Sequence, residues 1–556
     1  MKAAVPVEAP LFERAARLWR TACHLRPVQV WNRVSRRLVH GVRSDVSAVV
    51  LELPRGPWAT PVAAPSVLVA PGRVRIHEVE RDIAGADDWL APDMAALWRY
   101  HLHYFDELGA PADARRVEWQ SALMERWIRE NPPGRAPAWD PYPVSLRTVN
   151  WLKWALAGHR LSPAAVASLA LQAGWLERRL EFHLLANHLF ENAKALWFAG
   201  ACMRGDAASR WLRRGRALAL DELREQVLAD GGHFERSPMY HARMLENVLD
   251  LANVERACGR EPPVELRDAA ARMLAWLETM SHPDGGFALL NDAAAEQAPA
   301  LAELRDYARA LGVALPPVPG SRWLADSGYV RLEGGPWVAI ADLAPVGPDY
   351  QPGHAHADTL TFEASLRGRR LVVDTGTSTY EPGARRSHER STAAHNVLAV
   401  QGVNSSEVWA GFRVGRRARV VEAETRLDGP SPWAAGAHDG YLQQRVAGLC
   451  RRRWQIDSDV LRVEDRLDGV GEGSVEWLLH LHPSVQVQPA GPARFRLERD
   501  GRAVAMFTGD PALCWFAQAS TYHPRFGVSE PNWRIRGEGR VALPARFRCE
   551  LSATND

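Results

Sequence analysis

Three clusters of polar residues stand out from an otherwise ordinary globular sequence. The first is Asn187-His188 in EFHLLANHLFENAKALWFAG, where two hydrogen-bonding side chains interrupt an apolar helical run and Glu191 and Asn192 follow one turn on. Asn187 and Glu191 share a helix face, and such groups cap a neighbour or satisfy a buried network as readily as they bind a ligand. The second is DGGHFERSPMYHARMLENVLDL, in which a glycine turn leads into His233, Glu235, Arg236, Tyr240 and His241. Its Ser237-Pro238 pair is expected to open a helix. The third is YQPGHAHADTL, with His354, His356 and Asp358. On a strand, His-x-His turns both imidazoles to one face, although His101/His103 and His480/His482 repeat the spacing. What separates the third cluster is Asp374 in LVVDTG and His395 in TAAHNVL. Imidazole, carboxylate and imidazole from three strands suit a three-ligand divalent site, with zinc favoured by these donors. Unrelated structural histidines are the competing reading, because long-range ligand spacing does not decide.

The elements that must position these residues fall into successive textures. Residues 1–90 form an N-terminal extension mixing short β-like pieces with a basic stretch, Phe12–His40. That stretch carries Arg14, Arg17, Arg20, Arg33, Arg36 and Arg37 beside Trp19 and Trp31. It admits a membrane-surface helix; the favoured reading is a helix docked on the helical domain with its arginines in solvent. Residues 91–312 repeat Trp, Leu and Ala at helical spacing, which predicts antiparallel helix pairs in a bundle or α/α toroid. Residues 313–322, rich in proline, are the expected linker. Residues 323–556 change to period two, in short runs ended by Gly, Asp or Pro, which predicts an antiparallel β-sandwich.

Composition narrows the function classes. A chain of 556 residues exceeds one ordinary core. A net charge of +2 is too balanced for a protein that lives on nucleic acid. Basic residues are nearly all arginine, the lysines being Lys2, Lys153 and Lys194; arginine suits bidentate contact with carboxylate or sulfate, but genomic base composition gives the same bias. The six cysteines contain no CxxC pair, so neither a disulfide framework nor a thiolate metal cluster is expected. No apolar run approaches a membrane span. The first residues lack an apolar signal core, so a cytoplasmic location is expected, or a periplasmic one if the start is truncated or misassigned. Oligomeric state is left open, a dimer being admitted.

ANHLFENAKAL, DGGHFERSPMYH, GHAHAD, the aspartate of VVDTGTSTY, and RSTAAHNVL, in this order between about Trp98 and Trp409, resemble the successive motifs of heparinase II/III-like polysaccharide lyases and related alginate lyases. Each motif alone is weak; five in order are specific. The resemblance implies an α/α toroid joined to an antiparallel β-sandwich and an acidic polysaccharide as substrate. It implies that Asn187 and His188 engage a uronate carboxylate, that Tyr240 exchanges a proton beside the scissile bond, and that His354 is its acid/base partner. His356, Asp374 and His395 would hold a structural metal, and Glu191, His233 and Arg236 are candidate substrate contacts. Beside these, Trp409 and Arg413 in NSSEVWAGFRVG suit a stacking platform with an anion contact, core packing being an equal reading for the tryptophan. Tyr142, Arg147 and Trp151 in DPYPVSLRTVNW are candidates for the same cleft.

The implied chemistry is β-elimination. The C5 proton of a uronate lies α to a carboxylate, and its removal builds a second negative charge that an amide donor and an imidazole stabilise, at about 3–4 kcal/mol per donor. A free tyrosine, with a pKa of about 10, is a poor base unless a nearby cation favours phenolate. A uronosyl C5-epimerase uses the same abstraction, and a non-catalytic glycan-binding or assembly protein keeps the architecture without the chemistry. No carboxylate pair recommends a glycoside hydrolase.

Overall fold

The structure is a computed structural model, and it describes residues 11–38, 41–317 and 320–554. Parts of the N-terminal extension (residues 1–10 and 39–40) and of the linker (residues 318–319) lie outside the described residues. The helices before the sheet domain are α1 (Leu11–Ala22), α2 (Pro27–Ser35), α3 (Ala96–Tyr104), α4 (Ala114–Glu130), α5 (Pro141–Leu156), α6 (Pro163–Glu177), α7 (Ala186–Cys202), α8 (Asp206–Gln226), α9 (Pro238–Ala257), α10 (Val264–Thr279) and α11 (Leu301–Ala310). From α3 onward they build the toroid. Helix α7 is apolar nearly all round and packs against α5, α6, α8 and α9, as a helix at the centre of a helical layer must. Glycines allow its closest approach: a Cβ on Gly200 would lie 2.4 Å from the Leu212 nitrogen, and one on Gly215 2.5 Å from the Trp197 nitrogen. Caps fix the helix starts, with Ser162 Oγ accepting from Ala165 N and Ser237 Oγ from Tyr240 N. Among the described residues no helix is long and apolar enough to cross a membrane.

Beyond residue 320 the chain is antiparallel β. Five strands pair in the order Arg369–Val372, Phe362–Leu366, Trp337–Asp342, Tyr329–Gly334, Arg322–Leu324. Trp337–Asp342 is buried at every position, because one face of this sheet meets the toroid and the other the rest of the sandwich; a strand covered on both faces loses its alternation. An eight-stranded sheet runs from Val420–Arg426 to Gln486–Gly491, and a four-stranded sheet holds Leu398–Val400 at one edge. The three sheets share a core that includes Trp337, Phe362, Trp454, Trp477 and Phe547. The architecture is thus a toroid of helical hairpins followed by an antiparallel β-sandwich.

The seam between the two layers is polar and specific. His282 bonds Ser365 Oγ at 2.8 Å and Glu363 Oε2 at 2.9 Å. Arg236 donates to the carbonyls of Phe234, Ser327 and Gly347. The N-terminal helices lie across this seam. Helix α1 is fixed to the sheet domain rather than to the toroid: Arg17 Nε and Arg20 Nε donate to Glu407 at 3.0 and 2.9 Å. Those arginines are therefore paired, not free in solvent. Helix α2 touches both layers, with Asn32 Oδ1 accepting from His183 N and Gln29 Nε2 donating to the Tyr350 carbonyl.

Candidate active site

Asn187, Tyr240 and His354 meet at the seam. Tyr240 lies in the first turn of α9, started by Ser237 and Pro238. His354 lies in the loop between Trp337–Asp342 and Phe362–Leu366, not on a strand. Their rings stack with centroids 3.9 Å apart and planes 29° from parallel. His354 Nδ1 is 2.9 Å from Asp292 Oδ2, and its Nε2 is 3.3 Å from Glu235 Oε2. The Asn187 backbone and amide nitrogens both donate to Glu235, at 3.2 and 3.1 Å to Oε1. One glutamate thus ties the start of α7 to the imidazole. Non-glycine residues at positive φ flank this junction: Leu185 (62°), Ala186 (52°), Arg236 (58°) and Asn291 (59°). Each such conformation costs on the order of 1–3 kcal/mol, so the packing around the site sustains a backbone the chain would not otherwise adopt.

His188, the next residue on α7, has its Nδ1 3.2 Å from Glu181 Oε2 and its ring 4.3 Å from that of Tyr142. Burial pulls its pKa down, but the Glu181 carboxylate more than offsets this and holds it above the ordinary value. The carboxylate thus favours the imidazolium form of a side chain that stays partly exposed at the site. Burial also pushes the Tyr240 phenol well above its ordinary value, and Tyr380, whose hydroxyl is 3.2 Å from that of Tyr240, adds to the shift. Both influences favour the neutral phenol over the phenolate.

Asp292 is the hub that sequence reasoning missed. Besides His354 it accepts from His356 Nε2 at 2.9 Å and from both terminal nitrogens of Arg386, one at 2.7 Å. Burial opposes its charge, but Arg386 and the imidazoles outweigh that and hold it well below the usual carboxylate range. It sits in ALLNDAAAEQ, which has no motif shape. Tyr380, Arg386 and Phe412 were missed as well. The Phe412 ring lies 5.9 Å from His354, and the Arg386 guanidinium lies 4.9 Å over Tyr380. Tyr380 ends the VVDTGTSTY motif and Phe412 lies within NSSEVWAGFRVG, whereas Arg386 falls in no motif singled out above.

Several expected contacts lie elsewhere. Arg147 is wholly buried, donating to Gln172 and to the His103 and Ala138 carbonyls, and lies 3.8 Å over the Trp127 ring. It braces a tryptophan core that includes Trp151, which is equally buried. His233 is wholly buried against Gln226. Arg236 spends its guanidinium on the carbonyls of the seam. Glu191 is buried beneath the cleft, one oxygen accepting from Asn247 at 2.7 Å and the other left without a partner. Trp409 donates to Thr21 of α1 and Arg413 lies 4.8 Å over its ring, so the tryptophan anchors α1, while Phe412 of the same hairpin lies beside His354. Tyr142 does reach the site, its ring 4.3 Å from that of His188 and tilted by 41°.

Behind the site, His356, Asp358 and His395 bring ligand atoms within 4.8 Å of one another, all three residues being buried. Asp374 was expected in this set; instead it accepts from His395 Nδ1 at 2.7 Å, the position of an outer carboxylate that orients an imidazole. The expected strands are loops and strand ends here, so convergence arises from tertiary packing. His356 Nδ1, Asp358 Oδ2 and His395 Nε2 are each buried without a hydrogen-bond partner. Buried polar atoms are normally paired, so three unpartnered lone-pair atoms this close together fit a divalent cation.

A helical toroid is thus seamed to a β-sandwich, with Tyr240, His354 and Asn187 meeting at the seam. Residues 113–312 match the heparinase II/III N-terminus, and residues 316–550 match the heparinase II/III-like C-terminal domain. The chain belongs to the heparinase II/III-like family. It is 28% identical over 498 residues to FtsZ-localized protein C of Caulobacter vibrioides, covering 84% of this chain and 79% of that one. It is 22% identical to a heparin-sulfate lyase of Bacteroides stercoris over 57% of this chain and 55% of that protein, so it spans little more than half of that relative. The crystal structure of a heparan sulfate lyase HepC mutant from Pedobacter heparinus shares the fold, with a TM-score of 0.59, 19% identity, and coverage of 87% of this chain and 82% of that one.

Proposed function

We propose that the chain is a polysaccharide lyase that cleaves a uronate-containing acidic glycan by β-elimination. The observation that carries the reading is the stacked Tyr240–His354 pair, two proton-transfer groups side by side at the mouth of a seam whose wall holds the His188 cation. In this scheme the uronate carboxylate rests against His188 and the remaining N–H of Asn187. Asp292 fixes the His354 tautomer with the proton on Nδ1, which leaves Nε2 to take the C5 proton. The C5–H electrons form the C4–C5 double bond, the C4–O4 bond breaks, and Tyr240 gives its phenolic proton to the departing O4. A phenol held neutral by burial is suited to that donation. His354 then carries the abstracted proton between Asp292 and Glu235, and its return to Tyr240 closes the cycle. Family resemblance to lyases supports the same reaction class. A divalent ion, zinc by donor type, would be held by His356, Asp358 and His395. Its contribution would be to fix the loop from which His354 projects.

An epimerase would need a second acid across the sugar ring, and the adjacency of Tyr240 and His354 favours elimination. Incubation with a panel of acidic polysaccharides tests the point. Ultraviolet absorbance of an unsaturated uronate marks a lyase, whereas solvent deuterium gained at C5 of an uncleaved chain would replace this reading with epimerisation.

A further inference from the structure

The N-terminal helices are amphipathic the wrong way round. Helix α1 turns Arg17 and Arg20 inward onto Glu407, and α2 buries Gln29. Their apolar residues point to solvent instead: Phe12 is 84% exposed, Trp19 72%, Trp31 71%, Val34 57%, Val30 53% and Leu18 51%. Phe12, Ala15 and Trp19 follow helical spacing along one face of α1, as do Val30 and Val34 on α2. An apolar stripe belongs inside a monomer, and contiguous exposure of this kind marks an interaction surface.

Charge identifies the partner. Between Leu11 and Leu38 the chain has seven arginines and one acid, Glu13. Arg17 and Arg20 are paired with Glu407, Arg26 with Glu225, and Arg36 with His183, while Arg33 and Arg37 stand exposed beside the apolar face. A second copy on this face would oppose arginine to arginine, a like-charge contact that costs affinity. Aromatic and aliphatic residues outward with flanking arginines are what an anionic bilayer surface takes up, the rings at headgroup depth and the guanidiniums on phosphates. We propose that α1 and α2 form a peripheral docking face for anionic lipid membranes. The face adjoins the cleft: Asn32 of α2 bonds His183, four residues before Asn187, and α1 rests on the hairpin that carries Phe412. Docking would therefore bring the cleft close to glycans held at that membrane.

The test is co-sedimentation of the full chain with phosphatidylcholine vesicles and with vesicles containing phosphatidylglycerol, at low and high salt. Binding is expected to the anionic vesicles only. It should weaken at least tenfold at high salt and in the double variant Trp19→Glu/Trp31→Glu, whose thermal unfolding should match wild type because both rings are exposed. The charge variant Arg33→Glu/Arg37→Glu should also lose binding. Equal binding to both vesicle types, binding that survives both variants, or no vesicle binding would overturn the proposal. A dimer dissolved by Trp19→Glu/Trp31→Glu without vesicle binding would assign the face to a second copy instead.

Discussion

At the residue scale, the site is a set of proton-holding groups whose states are fixed by neighbours. In the proposed mechanism His354 works through Asp292, and replacing that carboxylate by an amide would remove the control of the tautomer and also leave the buried Arg386 guanidinium without its counter-charge, at a cost in stability. Asp292→Asn should lower kcat by about 10²–10⁴-fold, the range spanned by general acid–base contributions, with KM changed much less; a kcat within a few-fold of wild type would remove Asp292 from the mechanism. His188 should give binding a pH dependence. Its folded pKa is raised, so its stabilising contact with Glu181 is fully present below the ordinary imidazole value of about 6.5 and is lost as pH rises through the higher folded value. Glu181 bounds the window from below: its folded pKa is depressed, and its contribution disappears as pH falls through that value. In a catalytically silent background, affinity for an acidic oligosaccharide should fall by about tenfold as His188 loses its charge, the worth of one charge-assisted contact, and His188→Gln should flatten that profile. A profile unchanged by His188→Gln would mean that another cation meets the substrate.

At the scale of elements, the loop carrying His354, His356 and Asp358 has no regular structure to hold it, so its geometry depends on what it converges upon. His356→Ala should lower both the bound divalent metal found by elemental analysis and the thermal midpoint, whereas His354→Ala should cost rate more than stability. A well-folded wild type free of metal would show that the cluster is misread. The helical half was legible because its period is long and repeated, and the sandwich because short alternating runs end at turn residues. The site was legible where motif and local structure coincide, as at Ser237-Pro238, which opens α9 and sets Tyr240 in its first turn. It was not legible where tertiary packing decides. Arg147 belongs to a tryptophan core, which no local pattern distinguishes from a cleft. Asp292 reaches His354 and His356 across 62 and 64 residues of chain, and Asp374 stands behind His395 rather than beside it.

At the scale of the whole molecule, the proposed catalysis depends on two domains keeping their register, because Tyr240 comes from the toroid and His354 from the sheet domain. Arg236 is one of the residues that lock this seam. Arg236→Met would leave three carbonyls short of a charged donor and should destabilise the fold by about 3 kcal/mol, read by denaturant unfolding, with a larger loss of turnover than of oligosaccharide affinity; unchanged stability would show that the seam is held elsewhere. The central claim is that Tyr240 supplies the proton that lets O4 leave. The most direct measurement is the rate of unsaturated-uronate formation by wild type and by Tyr240→Phe on the acidic polysaccharide that wild type cleaves, with affinity for that glycan measured alongside. The account predicts a loss of at least about 10²-fold in rate with affinity nearly unchanged. Undiminished formation of the double bond by Tyr240→Phe would contradict it.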